Sequence, residues 1–316
     1  MASLLPSATE IVCALGMQEA LVGVSHECDY PESVVGLPVL TSSRLLPPGR
    51  RGVADRGSAQ VDREIRRLLA DGLALYTVDV DALERAAPDV IVTQDLCEVC
   101  AVSFEDVKAA ARKLASPSVR IVNLRPTRLA EILENVLEVG RALGREREAA
   151  EVVASLNERI DSVRRRAERV LRETERPPPS VLTIEWLDPV MVGGTWMPEL
   201  VEIAGGRALV TKPGDHAPTL AREDLLRLAP DVVLVKPCGY PLARSRPEIG
   251  AFRDAARELR WPAAETGNLW LADGHAYFNR PGPRIVDSLE ILAACVHPEE
   301  FANLAVRHGR GFERVR

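Results

Sequence analysis

Side chains that bind soft metals occur in three short segments of the sequence. His26 and Cys28 lie in the first, Cys97 and Cys100 stand in Cys-x-x-Cys spacing in the second, and Cys238 lies in the third. Thiolate sulfur and imidazole nitrogen are ligands of zinc and of other soft transition metals. A complete zinc site needs two more ligands beside Cys97 and Cys100, and His26 and Cys28 could supply them from a neighbouring loop. The alternative is that these are small buried side chains that bind no metal.

Ser7 and Glu10 have the spacing of a capping box, and apolar residues follow them at helical spacing. The pattern predicts that a helix begins just after the first strand. A helix N-terminus has free N–H groups that can receive a carboxylate, an amide oxygen or a phosphate. Ordinary helix capping is the alternative interpretation.

Aromatic residues are few, with 4 Trp, 4 Tyr and 5 Phe, and they gather in predicted loops. Six of them follow strands: Tyr30, Trp186, Trp196, Tyr240, Tyr277 and Phe278. Ligands of open α/β sheets bind outside the carboxyl ends of the strands, so these rings are predicted to form walls for a large, partly apolar ligand. Packing of the loops is the alternative, above all for Tyr30 and Phe278. The predicted ligand-binding residues are Ser7, Tyr30, Asp95, Trp186, Trp196, Tyr240, Tyr277 and Arg280.

Short β-branched runs alternate with helical patterns along the chain. This alternation predicts an α/β fold with parallel sheets, whose strands are buried on both faces. The predicted strands are residues 21–25, 90–93, 120–123, 180–184, 232–235 and 268–271. Residues 83–92 and residues 225–234 have a similar sequence, in which a helix end is followed by an Ala-Pro-Asp turn and a strand. This internal repeat predicts two similar lobes.

The middle of the chain is rich in Glu, Arg, Ala and Leu. It predicts one helix to about residue 143 and a second of roughly 28 residues that ends before Pro177. We therefore expect an N-terminal lobe at residues 1–126, connecting helices at 127–176 and a C-terminal lobe at 177–316. Residues 43–62 are polar and aperiodic and are predicted to form a surface loop.

Composition narrows the function classes. The chain has 316 residues, 46% of them apolar, and a net charge of −6, which argues against a general nucleic-acid binder. It has no stretch of about eighteen apolar residues that would span a membrane. Residues 1–7 lack the features of a secretion signal, so the expected location is the cytosol.

Several motifs together resemble a known family. They are Leu-Leu-Pro-Ser-Ala-Thr-Glu-Ile at residues 4–11, the segments 14–16 and 21–24, residues 83–92, Gly-Thr-Trp-Met-Pro-Glu-Leu at 194–200 with 204–206, and Asn-Arg-Pro-Gly-Pro-Arg at 279–284. The chain resembles the helical-backbone (class III) substrate-binding proteins of vitamin B12 and iron-siderophore ABC importers, and most closely their cobalamin-binding branch. The resemblance implies two Rossmann-like lobes with parallel sheets joined by a long helix, and one ligand in the cleft between them, held by aromatic rings without catalysis. Of those rings, Trp196 lies within a matching motif.

Three functions remain open from the sequence. The first is a non-catalytic, cytosolic binding protein for cobalamin or a related corrinoid, with an importer partner implied by the resemblance alone. The second is a binder of another metal complex or ion: ferric siderophore, haem or zinc. Few basic groups are available for an anionic siderophore, chiefly Arg280 and Lys236. The third is a metal-dependent enzyme, for which the candidate acids and bases are His26, Asp29, Asp95, Glu185 and His275.

Overall fold

The computed structural model describes residues 1–47, 56–71, 73–94, 104–112 and 119–316. The chain divides into two compact units. Unit 1 consists of residues 1–56, 60–126 and 130–155, and unit 2 of residues 57–59, 127–129 and 156–316. Both contain parallel strands with helices packed on them, which confirms the predicted α/β class.

A parallel sheet of three strands forms the centre of unit 1. Its order is β1-β4-β5, with β4 in the middle. The strands of unit 1 are β1 (Ala2–Ser3), β2 (Thr41–Ser43), β3 (Tyr76–Val78), β4 (Val90–Gln94) and β5 (Arg120–Leu124), and β2 pairs with β3 antiparallel. One face of the sheet packs on Ile11 and Val12 and the other on Leu40 and Leu83, so β4 is apolar on both sides. This double burial explains why β4 and β5 were predictable as apolar runs.

The predicted strand at residues 21–25 is wrong. Only single bridges form there, from Gly23 to Ala2 and from Val24 to Val39. Val24 N donates to Pro38 O and Val24 O accepts from Leu40 N, but Pro38 has no N–H with which to extend the parallel ladder towards residue 22.

Helices make up most of the remaining chain. Those that begin before residue 180 are α1 (Pro6–Ala14), α2 (Ser58–Ala70), α3 (Val80–Ala86), α4 (Phe104–Ala111), α5 (Leu129–Leu143) and α6 (Glu146–Thr174). The two central helices are confirmed as α5 and α6, and α6 has 29 residues. The surface loop predicted at 43–62 extends too far, because α2 begins at Ser58 and Arg66 pairs with Asp62 one helical turn away.

A mixed sheet of six strands forms the centre of unit 2. Its order is β11-β10-β9-β6-β7, and β8 also pairs with β6. The strands are β6 (Ser180–Trp186), β7 (Met191–Val192), β8 (Arg207–Ala208), β9 (Val232–Val235), β10 (Leu269–Ala272) and β11 (Phe312–Arg314). β6, β9 and β10 run parallel, so the ends that carry the predicted loops lie at one edge.

The helices of unit 2 that follow β6 are α7 (Met197–Ile203), α8 (Arg222–Leu225), α9 (Leu242–Glu258), α10 (Pro262–Thr266), α11 (Ile285–Val296) and α12 (Ala302–Arg307). Both copies of the Ala-Pro-Asp turn lead into an inner strand of a sheet, β4 in unit 1 and β9 in unit 2. In the second copy Asp231 accepts bonds from the backbone N and hydroxyl of Ser180, which fixes the start of β6 beside β9.

Candidate functional site

A small pocket lies where β1 and β4 end, at one edge of the unit 1 sheet. It is partly open to solvent and has a volume of about 20 Å³. That volume holds about one water molecule and not a whole large ligand. The residues that line it are Leu4, Leu5, Pro6, Ser25, His26, Glu27, Thr41, Tyr76, Thr93 and Gln94.

His26 has a fixed tautomer in this pocket. The residue is 4% exposed, and its Nδ1 lies 2.7 Å from Thr41 Oγ1. The single hydroxyl proton of Thr41 goes to Ser25 Oγ, 3.1 Å away. We therefore assign Nδ1 as the donor to Thr41, so that in the neutral form of the ring the lone pair lies on Nε2. Neutral imidazole binds a metal through such a lone pair.

Tyr76 is the aromatic neighbour of His26. The two ring centroids lie 5.1 Å apart, and the Tyr76 hydroxyl donates to Glu27 Oε1 at 3.1 Å. Glu27 thus brings a carboxylate into a pocket whose lining, among the described residues, includes no Lys or Arg.

Two side chains of the pocket have buried polar atoms with no hydrogen-bond partner among the described residues. They are Thr93 Oγ1 and Gln94 Oε1, and the residues are 0% and 7% exposed. A buried polar atom without a partner costs about 1–3 kcal/mol, so a bound group that pairs with it gains affinity. Neither residue was predicted from the sequence, although polar residues at the end of the apolar run of β4 were a usable signal.

The capping box predicted at Ser7 is wrong. The N-cap of α1 is Leu5, in extended conformation, and Pro6 occupies the first helical position, so no side chain caps this helix. Proline is suited to that position because its φ is already helical and the N–H it lacks would be unpaired there. Ser7 therefore lies inside the first turn, 1% exposed, and its Oγ finds no partner among the described residues.

The predicted metal ligands do not form a group in the part of the chain that the structure describes. Cys28 is buried with its Sγ 3.0 Å from Thr9 Oγ1, and Thr9 in turn donates to Ser3 Oγ at 2.8 Å. Cys28 also packs in the apolar core of unit 1. Asp95, Cys97 and Cys100 lie outside the described residues.

In unit 2, a buried ion pair holds the ends of β6 and β9 together. Lys236 is 0% exposed, and its Nζ donates to Glu185 Oε2 and to Asn279 Oδ1, both at 2.8 Å. Asn279 Nδ2 donates back to Gly274 O at 2.8 Å. Gly274 must be glycine, because a Cβ there would lie 2.0 Å from Pro237 O. The loops after β9 and β10 are therefore locked to each other.

The predicted aromatic residues of unit 2 differ in burial. Trp186 and Tyr240 pack with their ring centroids 5.0 Å apart, and Trp186 is half-buried. Trp196 is 6% exposed, and its indole N–H donates to Phe278 O at 2.9 Å. Phe278 itself is fully buried and belongs to the interior.

The remaining predicted residues lie apart from these rings. Tyr30 in unit 1 is 47% exposed. In unit 2, Arg280 is 6% exposed with Nη2 2.9 Å from His275 Nε2, and Tyr277 lies 5.6 Å beneath the Arg284 guanidinium. Cys238 is half-buried, and its backbone N donates to Glu185 O at 2.9 Å.

A second cluster of titratable groups lies between α6, α11 and α12 of unit 2. Asp287, Glu290 and His308 place their ligand atoms within 4.8 Å of one another, the one such group among the described residues. Arg159 fills it, donating to Asp287 Oδ1 at 2.5 Å and to Glu290 Oε1 at 2.9 Å. A guanidinium in that position makes the cluster a structural ion-pair network and not a metal site. The network was not predicted from the sequence, because Arg159 lies 128 residues before Asp287 in the chain.

Glu290 is the centre of this network. Burial alone raises its pKa, but hydrogen bonds from His308 and Arg159 outweigh that effect and lower the pKa to about 2. The His308 Nε2 to Glu290 Oε2 distance is 2.6 Å. The carboxylate is therefore ionised throughout the physiological range.

Comparison with known proteins identifies the family. A family model described as "Periplasmic binding protein" matches residues 1–270, most of the chain, and the chain belongs to that family. A lipoprotein of Bacillus subtilis (strain 168), named as the uncharacterized ABC transporter substrate-binding lipoprotein YvrC, is 19% identical over 307 residues, which are 95% of this chain and 80% of the relative.

Solved structures share the fold. A periplasmic haem-binding protein from Pseudomonas aeruginosa has a TM-score of 0.69 at 20% identity, covering 94% of this chain and 92% of its own. The haem-binding protein RhuT from Roseiflexus sp. RS-1 has a TM-score of 0.66 at 20% identity, covering 95% and 98%. The vitamin B12-binding protein BtuF of Vibrio cholerae has a TM-score of 0.64 at 18% identity, covering 93% and 95%.

These comparisons decide two expectations. The resemblance to the class III binding proteins is confirmed, while its cobalamin branch stays a prediction because haem binders are as similar as the B12 binder. The expected cytosolic location is wrong, since the relatives are periplasmic proteins or a lipoprotein. Among the described helices, none is long and apolar enough to cross a membrane.

Proposed function

We propose that this periplasmic binding protein is the solute-binding subunit of an ABC importer and that its solute is a metal-bearing macrocycle. Cobalamin or a related corrinoid is the first candidate, and haem is the second. The proposal of an importer partner is supported by the relative named as an ABC transporter substrate-binding lipoprotein. The proposal of these solutes is supported by the B12-binding and haem-binding structures of the same fold.

The observation that carries this proposal is the position of His26 at the edge where parallel strands end, with its Nδ1 donating to Thr41 Oγ1. Cobalt and iron both accept an imidazole nitrogen as an axial ligand. Haem is kept as the second candidate because Tyr76, beside His26, carries a phenol that also ligates ferric iron.

The aromatic residues supply the apolar contacts in this proposal. Trp186 and Tyr240 form the candidate wall, with Tyr277 and Tyr30 as further contacts. Trp196 is assigned a positioning role, because its ring is buried and its indole N–H is already bonded to Phe278 O. Ser7, Asp95 and Arg280 remain predicted ligand contacts, and the boundaries at residues 126 and 176 remain a prediction.

Two alternatives are disfavoured by the polar contacts of unit 2. An anionic siderophore needs cationic side chains, but Lys236 is buried against Glu185, and Arg280 is buried beside His275. Glu185 and His275, two of the candidate acids and bases, are engaged in these same contacts. We propose binding without chemistry. Zinc held by Cys97 and Cys100 together with His26 and Cys28 remains the alternative to be measured, and Cys238 remains a predicted metal ligand.

The test is a titration followed by visible absorbance. The protein is titrated with hydroxocobalamin and, separately, with haemin, as wild type and as the variants His26→Gln and His216→Gln. His216 is exposed and serves as the matched control. We expect a one-to-one band shift that His26→Gln removes and His216→Gln keeps.

Two results would contradict the proposal. If neither macrocycle binds at about 50 μM, weaker than about −6 kcal/mol, the ligand class is wrong. If the purified protein carries one equivalent of zinc and neither macrocycle binds, the metal-ion alternative replaces it.

A further inference from the structure

The Trp186 ring lies in a position that its own hydrogen bonding does not favour. Trp186 is half-buried at the end of β6, and its indole Nε1 is buried without a hydrogen-bond partner among the described residues. A buried donor without an acceptor costs free energy, whereas the same N–H in water would be paired. Contacts elsewhere on the ring must therefore hold Trp186 in place.

Tyr240 is the ring that packs against Trp186. The two ring centroids lie 5.0 Å apart, and the ring planes are inclined at 57°. Gly239, with a φ of 74°, turns the chain after β9, and Tyr240 N donates to Pro237 O across that turn. Tyr240 is 3% exposed, so it has almost no surface to offer to a solute. Trp186 is therefore the ring of this pair that can contact a solute, and Tyr240 supports it.

Arg244 covers a face of the Tyr240 ring. Its Cζ lies 4.5 Å from the ring centroid, and its side chain is 11% exposed. A guanidinium over an aromatic face is attracted more strongly when it is removed from water than when it is exposed. Glu248, one helical turn further along α9, accepts from Arg244 Nη1 at 2.8 Å and fixes the guanidinium in this position.

The place of Arg244 in α9 is unfavourable for the helix itself. α9 begins at Leu242, so Arg244 lies in its first turn, where the free N–H groups carry partial positive charge. A cation in the first turn of a helix is repelled by that charge. A side chain that opposes its own helix is explained by a tertiary contact, and the contact that Arg244 makes is with Tyr240.

We infer that Arg244 is a positioning residue for solute binding, because through Tyr240 it fixes the orientation of the Trp186 ring that contacts the macrocycle. The inference rests on the proposed function, in which Trp186 is part of the apolar wall. A planar ligand gains most from a flat wall that is already oriented, because ordering a side chain on binding costs affinity. Removal of the guanidinium should therefore free the Trp186 ring and weaken binding of the macrocycle.

The first experiment observes each indole ring separately and needs no ligand. The 4 Trp residues of the full-length protein are replaced with fluorotryptophan, and the fluorine NMR signal of Trp186 is assigned as the one lost in Trp186→Phe. We expect Arg244→Met to shift and broaden the Trp186 signal, and Arg244→Lys, which keeps the charge, to restore part of the wild-type position. Arg246→Met is the control, because it removes the same charge from an exposed position on the same helix and should leave the Trp186 signal unchanged. An unchanged Trp186 signal in Arg244→Met would overturn the inference.

The Trp261 signal separates positioning of Trp186 from a general disturbance of α9. The Trp261 ring packs on Phe252 of α9, with the centroids 6.1 Å apart, so it reports whether the helix has moved. We expect the Trp261 signal to stay in place when Arg244→Met moves the Trp186 signal. Equal movement of both signals would show that Arg244 only stabilises the helix, which overturns the inference. If Arg244→Met does not melt cooperatively, Glu248→Gln takes its place, since it keeps the side-chain shape and removes the charge that holds the guanidinium.

The second experiment measures the affinity for hydroxocobalamin and for haemin. For each macrocycle that binds the wild type, we expect Arg244→Met to weaken binding about tenfold and Arg246→Met to leave it within about twofold. If Arg244→Met moves the Trp186 signal but binds the macrocycle as tightly as the wild type, the positioning role is wrong and the proposed function stands. If the Trp186 signal moves while neither macrocycle binds the wild type, the orientation of the ring by Arg244 is supported and the proposed solute is wrong.

Discussion

The substitution Glu290→Gln gives the sharpest stability prediction. Glu290 is 3% exposed and accepts hydrogen bonds from Arg159 at 2.9 Å and His308 at 2.6 Å. These contacts outweigh the effect of burial and lower its pKa from an ordinary 4.5 to about 2. At about 1.4 kcal/mol per pKa unit, the carboxylate stabilises unit 2 by about 3 kcal/mol near neutral pH.

The sign of the pH dependence follows from the direction of the shift. A folded-state pKa below the unfolded one gives stability that is present above about pH 4.5 and is lost as the pH falls towards 2. Glu290→Gln should therefore lower the free energy of unfolding by about 3 kcal/mol at pH 7. The wild type and the variant should converge near pH 2.

Tryptophan fluorescence during urea unfolding measures this effect in the correct part of the chain. All 4 Trp residues lie between Trp186 and Trp270, and therefore in unit 2 with Glu290. Glu313→Gln is the control, because Glu313 pairs with Arg246 at an exposed position and should cost no more than about 1 kcal/mol. A loss for Glu290→Gln below 1 kcal/mol at pH 7, or an equal loss at pH 7 and pH 2, would refute the reasoning.

Three further predictions concern single positions. Gly274→Ala should lower the melting temperature of the protein, because the added Cβ would lie 2.0 Å from Pro237 O. Gly250→Ala, whose Cβ would enter open space within α9, should stabilise the protein by about 1 kcal/mol. Equal melting temperatures of the two variants would contradict the steric argument. Lys236→Met should destabilise unit 2 by about 3 kcal/mol and change the Trp186 emission, since it leaves Glu185 without its cation. An unchanged midpoint of urea unfolding would show that the ion pair contributes nothing to the stability of unit 2. Iodoacetamide at pH 8 should leave Cys13 and Cys295 unmodified in the folded protein. Burial, with Glu10 nearby, raises the pKa of Cys13 to about 11, and burial raises the pKa of Cys295. Alkylation of either cysteine, detected by mass spectrometry, would contradict this prediction.

The elements that the sequence predicted well are those decided by local pattern. β4, β5, β6, β9 and β10 are apolar on both faces and therefore read as continuous runs. The charged face and length of α6 are visible in its composition, and its Arg147–Glu151 pair shows the expected spacing. The prediction of a strand at residues 21–25, after α1, was wrong, because the pairing there depends on Pro38 and Leu40, which are far along the chain.

The loops of unit 2 that carry candidate residues were predictable from the sequence, and their contacts were not. The sequence placed Trp186 and Tyr240 at the carboxyl ends of β6 and β9, whereas the strand predicted before His26 does not form. It could not show that Thr41 fixes the tautomer of His26, or that the indole of Trp196 bonds to Phe278, which lies 82 residues further on. The unpaired state of Thr93 and Gln94 is also a tertiary property, since a polar residue at a strand end is ordinarily solvated.

Calorimetric titration of the wild-type protein with hydroxocobalamin, and in parallel with haemin, measures whether the protein binds a metal-bearing macrocycle. We expect one binding site for at least one of the two macrocycles, with Kd near or below about 1 μM. Absence of heat from both macrocycles at about 50 μM would contradict the claim that this protein binds a metal-bearing macrocycle.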